Sequence, residues 1–146
     1  MIRIFYSIIF LIISFAASAQ HVKDSTAICR LLERESATWR SGDVKGHADC
    51  WFIRPYSRVL VSTGDGQVID VPPQKMIEPD PGSMGKGGYS KNSDYKMSIS
   101  GDRAWVSHQE ESYSADGKLT RSYEIRMLER IRGVWKMVGQ SIHIIH

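Results

Sequence analysis

The sequence lacks any long block of one charge. Its 146 residues include 19 Lys and Arg against 16 Asp and Glu, and both signs are scattered along the chain. Proteins that bind nucleic acid or an anionic membrane surface usually gather basic side chains in one run or on one face. The charge pattern therefore favours neither of these partners.

The chain also lacks internal repeats and low-complexity linkers that would separate two domains. A chain of this length usually forms one domain with a hydrophobic core of its own. We expect a single domain over residues 20–146, after an N-terminal segment of different character.

Long apolar runs are scarce, and the main one is Ser7 to Ala16. It is shorter than the roughly 20 residues that a membrane-spanning helix needs. Arg3 precedes it, and the small residues Ala17-Ser18-Ala19 follow, as at a signal-peptidase site. The pattern predicts a cleavable signal peptide, Met1 to Ala19, and a periplasmic or secreted protein with no stable membrane insertion after cleavage. A retained membrane anchor is the alternative.

Cysteine is rare, since the sequence has only Cys29 and Cys50. A disulfide can persist in an exported protein. If residues 27–40 and 43–51 form two antiparallel helices, the cysteines lie at similar distances from the turn. The spacing leaves two interpretations open, a Cys29–Cys50 disulfide and two buried thiols.

No complete cofactor or metal motif is present. Gly85-Lys86-Gly87-Gly88 is followed by Tyr89 and Ser90, which does not complete a phosphate-binding loop. His143 and His146 alone do not specify a metal site. We therefore expect no cofactor and no metal, and we interpret Asp80 to Asn92 as a flexible loop at the mouth of a cavity.

The first part of the chain has helical periodicity. Asp24 and Ser25 are residue types that cap helices, and apolar residues at three-and-four spacing follow, which predicts a helix over Ala27–Arg40. Gly42 is expected to end it, and Asp43 to cap a second helix that reaches Trp51.

The rest of the chain alternates as strands do. A hairpin is predicted over residues 58–63 and 67–71, and a short helical turn over Gln74–Ile77. Three later strands each place one set of residues on a shared face: Tyr95, Met97 and Ile99; Ala104, Val106, His108 and Glu110; Tyr123, Ile125 and Met127. The final strand, Val134 to Ile145, is expected to place Trp135, Met137, Gly139, Ser141 and His143 on one side. Two helices followed by a largely antiparallel sheet make an α+β protein.

This order of elements resembles the SnoaL-like branch of the nuclear transport factor two-like superfamily. The resemblance is carried by Trp39-Arg40-Ser41-Gly42-Asp43, by Trp51, and by Gly133-Val134-Trp135-Lys136-Met137-Val138. It implies a cone-shaped fold, in which a strongly curved antiparallel sheet wraps N-terminal helices and leaves a pocket for a small-molecule ligand. Such a fold hosts unrelated functions, so it does not assign one.

The isomerase-like members of the superfamily carry a carboxylate base on the strand after the second helix. Here that strand is Ser57-Arg58-Val59-Leu60-Val61-Ser62-Thr63, which has no carboxylate, and Asp65 falls in a turn. The sequence therefore does not support direct isomerase-type chemistry.

The candidate catalytic pair is His108 and Glu110, which share a strand face with apolar residues. If that face lines the cone, burial would tune both groups for acid–base work. The alternative is that both are solvated at a twisted strand end. Arg126, with Glu124, would form either a ligand clamp or an exposed charge ladder.

Aromatic residues supply the other candidate ligand contacts. Trp51, Tyr56 and Tyr89 could stack on a planar or sugar-like ligand, and the resemblance places His143 where it could reach the pocket. Plain core packing is the alternative for the aromatics.

Two functions follow from these observations. The first is a small-molecule-binding domain, with a cofactor-independent lyase, isomerase or hydrolase activity if it is an enzyme. In that case Tyr56 would orient the substrate. The second is a noncatalytic assembly domain that forms a homodimer through its sheet, since alternate faces such as those of Met127 and Leu128 both carry apolar residues.

Overall fold

The computed structural model describes the backbone of residues 2–145 and the side chains of residues 20–145. The predicted signal peptide, Met1 to Ala19, lies outside the described side chains. The elements are α1 (Ile2–Ser41), α2 (Val44–Ala48), β1 (Val59–Ser62), β2 (Val68–Val71), a 3-10 turn (Pro73–Met76), β3 (Gly88–Ser100), β4 (Arg103–Ser114), β5 (Leu119–Ile131) and β6 (Val134–Ile145). Within the described part of the chain, no helix is long and apolar enough to cross a membrane.

The six strands form one curved sheet in the order β2-β1-β6-β5-β4-β3. All neighbours are antiparallel except β1 and β6, which are parallel. Helix α1 packs on the inner face of this sheet, mainly against β3 and β6. The arrangement confirms the predicted α+β class and the cone-shaped fold.

Helix α1 runs through the position where we expected it to begin. The Asp24 carboxylate does not cap the helix; it accepts hydrogen bonds from Arg130 at 2.7 Å and from the Trp135 indole at 3.2 Å. These contacts tie α1 to β5 and β6. The prediction of a helix start at Asp24 and Ser25 is therefore wrong, because the carboxylate is used for a tertiary contact.

The turn after α1 follows the sequence prediction. Gly42 adopts a φ of 72°, the left-handed conformation in which glycine ends helices. Asp43 caps α2 by accepting a hydrogen bond from the Gly46 amide at 2.9 Å. Helix α2 is shorter than predicted, since it ends at Ala48 rather than Trp51.

Cys29 and Cys50 are free thiols in this structure. His47, in α2, approaches the Glu35 carbonyl at 3.3 Å, so this side of the helix pair is level with Glu35. Cys29 lies six residues before Glu35 on α1, which is about 9 Å along the helix axis. The disulfide interpretation is therefore not met in this structure.

The glycine-rich segment caps α1 rather than forming a loose loop. The amides of Gly85 and Gly87 donate to the carbonyls of Trp39 at 3.0 Å and Arg40 at 2.7 Å. A Cβ atom at Gly85 would lie 2.7 Å from the Arg40 Cα atom, so the close approach requires glycine. Strand β3 begins at Gly88, and the predicted loop over Asp80–Asn92 is therefore wrong for its last five residues.

A bulge divides β6 into two halves with opposite facing. Trp135 and Met137 are buried in the core, but the register with β5 shifts between Met127 and Leu128 and leaves Val138 as the extra residue. Beyond it the inward residues are Gln140, Ile142 and Ile144. The expected common face of Trp135, Met137, Gly139, Ser141 and His143 is therefore wrong beyond Met137. His143 pairs with the exposed Tyr123 on the outer face.

The core lies where the segment of α1 around Ile28 and Leu32 meets the inner sheet face. Its buried apolar side chains come from every layer: Ile28, Leu32, Cys50, Trp51, Val59, Met76, Ala104, Val106, Leu128, Trp135 and Met137. Ile28 has no exposed surface. The core therefore fixes the helix against the sheet and leaves the C-terminal part of α1 free to border a cavity.

We predict that Ile28→Ala lowers the free energy of unfolding by about 2–5 kcal/mol, because it opens a cavity in the packed core. Denaturant titration measures the change. Val22→Ala, on the same helix at a site that is 65% exposed, is the control and should stay within about 0.5 kcal/mol of the parent. Equal losses in the two variants would contradict the assigned core.

Candidate functional site

A cavity of about 370 Å³ lies between the end of α1 and the inner face of the sheet. Its lining comes from α1, the 3-10 turn and all strands except β3. The lining residues are Glu35, Ser36, Trp39, Arg40, Val59, Val61, Val71, Met76, Glu110, Ser112, Thr120, Ser122, Glu124, Arg126, Gln140, Ile142 and Ile144. The volume falls in the range of small-molecule sites.

The cavity has a charged floor and a mainly apolar rim. The floor is formed by the ionisable residues of the lining, which are buried or nearly buried. These are Glu35, Arg40, Glu110, Glu124 and Arg126. Half-buried side chains nearer solvent include Val61, Val71, Ile142 and Ile144, with the hydroxyl groups of Ser112 and Thr120. A molecule entering the cavity would meet aliphatic side chains first and charged groups at the bottom.

Arg126 is the centre of the floor. Its guanidinium donates to the Glu124 carboxylate and to the Gln140 side-chain oxygen. A Glu35 oxygen lies 3.6 Å from Arg126 Nη1. Burial opposes the charge, but the attraction of Glu124 and Glu35 outweighs it and raises the pKa of Arg126. Arg126 therefore stays cationic and holds three side chains in fixed positions.

Glu124 is held as an anion by these contacts. Burial favours its neutral form, but the Arg126 charge and a 2.7 Å hydrogen bond from Ser122 lower the pKa of Glu124. The carboxylate is thus a fixed negative charge at the cavity floor.

The pKa of Glu110 is shifted in the opposite direction to that of Glu124. It accepts a 2.8 Å hydrogen bond from Ser36 and pairs with Arg40, both on α1. Burial and repulsion from Glu124 nevertheless raise the pKa of Glu110. The floor therefore contains one carboxyl group that keeps its proton to higher pH beside another that loses it readily, which is a common arrangement in acid–base sites.

His108 faces inward, as predicted, but does not line the cavity. Its Nε2 atom is 3.5 Å from Glu124, and its ring stacks on Tyr95 with centroids 5.3 Å apart. Burial and the nearby Arg126 charge lower the pKa of His108. The predicted solvated alternative is wrong for both His108 and Glu110, yet the structure does not place the imidazole and Glu110 together at the cavity wall.

Four predicted ligand contacts lie away from the cavity. Trp51 is part of the core, where its ring lies 6.4 Å from that of His47. Tyr56 is exposed, and its hydroxyl donates to Glu129. Tyr89 is exposed and stacks on Tyr113, its pairing partner on β4. His143 is on the outer face because of the bulge in β6. Of the predicted ligand residues, Arg126 alone lines the cavity.

Glu35, Ser36 and Arg40 of α1 were not selected as cavity residues by the sequence analysis. One helical face of α1 carries Glu35, Ser36, Trp39 and Arg40. Their spacing in the sequence could have identified them as a group. Gln140 was missed because strict alternation along β6 places it on the outer side. Only the bulge turns it inward.

No group of three metal-ligating side chains occurs among residues 20–145. The floor carries carboxylates, but each is already paired with a guanidinium, hydroxyl or imidazole group. These residues do not make a preformed metal site.

The backbone is similar to solved structures of NTF2-like proteins. An NTF2-like protein with a cystatin-like fold from Novosphingobium aromaticivorans has a TM-score of 0.68 and 16% identity, covering 89% of this chain and 87% of that chain. An NTF2-like protein of unknown function from Shewanella baltica OS155 has a TM-score of 0.64 and 15% identity, covering 86% of this chain and 96% of that chain. A protein of unknown function with a cystatin-like fold from Nostoc punctiforme PCC 73102 has a TM-score of 0.64 and 13% identity, covering 83% of this chain and 90% of that chain.

These similarities confirm the nuclear transport factor two-like fold that the resemblance predicted. No protein-family model and no curated protein sequence matches the chain. At such low identity the solved structures show the fold and do not assign an activity.

We predict that Glu110→Gln becomes more stable relative to the parent as pH rises from about 4 to about 8. The raised pKa of Glu110 means that the folded parent holds a proton that the unfolded chain releases. The parent therefore loses stability above the ordinary glutamate pKa, whereas the neutral glutamine does not titrate. Denaturant titrations at both pH values measure the difference.

Glu111→Gln is the matched control on the same strand. Its pairing with Arg121 lowers the pKa of Glu111, so this variant should become less stable relative to the parent over the same range. If the stability of Glu110→Gln relative to the parent stays constant or falls as pH rises, the raised pKa assigned to Glu110 is contradicted.

Proposed function

We propose that this protein binds a small molecule with an apolar body and a polar end in the cavity of the cone. The observation that carries the proposal is the division of the cavity into an aliphatic rim and a charged floor. The ligand body would bury apolar surface against Val61, Val71 and Ile142, and its polar end would meet the floor. Apolar burial provides affinity, and a few fixed polar groups provide orientation.

The cost of keeping the floor charged supports a binding role. Three carboxyl groups and two guanidinium groups line a site that aliphatic residues could have filled. Buried ionic groups contribute little net stability compared with well-packed apolar residues. Their presence in an open cavity is more simply explained by a ligand than by folding.

Acid–base catalysis is the finer part of this proposal, and Glu110 is the group we assign to it. It lines the cavity, and its raised pKa would let it exchange a proton with a bound molecule. His108 would act on Glu124 rather than on the ligand, since Glu124 is its nearest ionisable neighbour and lies at the cavity wall.

We predict that Val61→Trp weakens binding of prodan, a fluorescent aromatic ketone, at least about tenfold by filling the cavity. The parent should bind prodan with a blue shift of its emission, because the dye enters an apolar space. Fluorescence titration measures both effects.

Val134→Trp is the matched control, since Val134 is 56% exposed and lies outside the cavity lining. It should bind prodan as the parent does. Absence of binding to the parent, or equal loss in both variants, would argue against the cavity as the site.

A second candidate function is homodimer formation through the outer sheet face. Trp105, Tyr123, Ile125 and Met127, which we call the outer patch, are 48%, 50%, 43% and 42% exposed. They occupy adjacent strands, and Trp105 pairs directly with Met127. A contiguous apolar patch of this kind is typical of an interaction surface.

We predict that the parent sediments as a dimer at micromolar concentration and that Ile125→Glu sediments as a monomer, because a charge would be buried at the centre of the outer patch. Val134→Glu, at an exposed site outside the patch, should remain dimeric. A monomeric parent, or a dimer that tolerates Ile125→Glu, would exclude this interface.

A further inference from the structure

The Arg126 guanidinium fixes which end of the Gln140 side-chain amide, the oxygen or the NH₂ group, faces it. Gln140 is buried and lines the cavity. The Arg126 guanidinium donates to its Oε1 atom. Because a guanidinium has only donors, the amide oxygen must face Arg126 and the NH₂ group must face the other way.

The NH₂ group of Gln140 has no oxygen acceptor among the described residues. Its one contact is with the Met76 sulfur at 3.8 Å, and a thioether is a weak acceptor. Met76 also lines the cavity, so the donor lies at the cavity wall beside apolar surface. A buried amide donor without a strong acceptor lowers stability, and an oxygen atom brought by a ligand would restore the missing hydrogen bond.

The charge of the floor restricts the kind of oxygen that fits. The cavity is lined by Glu35, Glu110 and Glu124 against Arg40 and Arg126. Both guanidinium groups are paired with these carboxyl groups, although the Nε atoms of Arg40 and Arg126 have no hydrogen-bond partner among the described residues. A carboxylate or phosphate would add a negative charge to a floor whose two cations are already paired with carboxyl groups, whereas an uncharged oxygen would not be repelled by those carboxyl groups.

We propose that Gln140 is the specificity-determining residue of this cavity and selects an uncharged molecule with a hydrogen-bond-accepting oxygen, such as a ketone, an ester or an ether. The inference rests on the proposed binding function and names the ligand class for the same site. Arg126 acts as the positioning residue, because it fixes the direction of the Gln140 amide.

Three naphthalene probes with the same 6-dimethylamino ring system test this selection by calorimetry. Prodan carries a ketone, its 2-propyl analogue has no oxygen, and 6-dimethylamino-2-naphthoate carries a carboxylate. We expect the parent to bind prodan about tenfold more tightly than the propyl analogue, the value of one well-formed hydrogen bond in a dry site, and to bind the naphthoate most weakly.

Gln140→Met removes the donor with little change in side-chain length. We expect it to abolish the preference for the ketone and to leave affinity for the propyl analogue unchanged. Gln140→Glu is the second variant, since it keeps an oxygen for Arg126 but has no N–H donor, and it should also lose the ketone preference. Gln67→Met, at an exposed turn, is the control for the substitution itself. Circular dichroism establishes that each variant is folded.

The outcomes separate this inference from the proposed function. If the parent binds the ketone and the propyl analogue equally, or if the ketone preference survives in both Gln140 variants, Gln140 does not select the ligand although the cavity still binds. Tightest binding of the naphthoate by the parent would also overturn the inference. If the parent binds none of the three probes, the proposed binding function itself fails.

Discussion

The buried guanidinium of Arg126 is the constraint on which the cavity depends. A cation inside a fold must be surrounded by acceptors, and here these come from β5, β6 and α1 through Glu124, Gln140 and Glu35. One side chain therefore holds β5, β6 and α1 together at the cavity floor. The aliphatic rim is arranged around this fixed centre, and the shape of the cavity follows from it.

Helix α1 is held against this centre at two places. Asp24, in the middle of the helix, binds Arg130 and Trp135, and at the C-terminal end the amides of Gly85 and Gly87 donate to the carbonyls of Trp39 and Arg40. Ser36 and Arg40 can therefore meet Glu110 without closing the space between helix and sheet. The glycine-rich segment contributes to the site by fixing the helix end that carries Trp39 and Arg40, two residues of the cavity lining.

Much of the fold could be predicted from the sequence, because periodicity reports which side of a strand or helix is apolar. The facing of Glu110, the cap at Asp43 and the end of α1 at Gly42 follow from local patterns. The site was harder to predict, because it depends on contacts between distant residues. Asp24 has the local signal of a cap but bonds to β5 and β6, and the exposed Tyr56 bonds to Glu129 on β5. No local pattern contains these partners.

The bulge at Val138 means that β6 is two short sequences with independent roles, one for the core and one for the cavity. Because side chains alternate along a strand, removal of Val138 would leave Gly139 as the one residue between Met137 and Gln140, and Gln140, Ile142 and Ile144 would still face the cavity. The first half, with Trp135 and Met137, would keep its place. The bulge thus lets β6 carry one additional residue while the core residues before it and the cavity residues after it keep their facing.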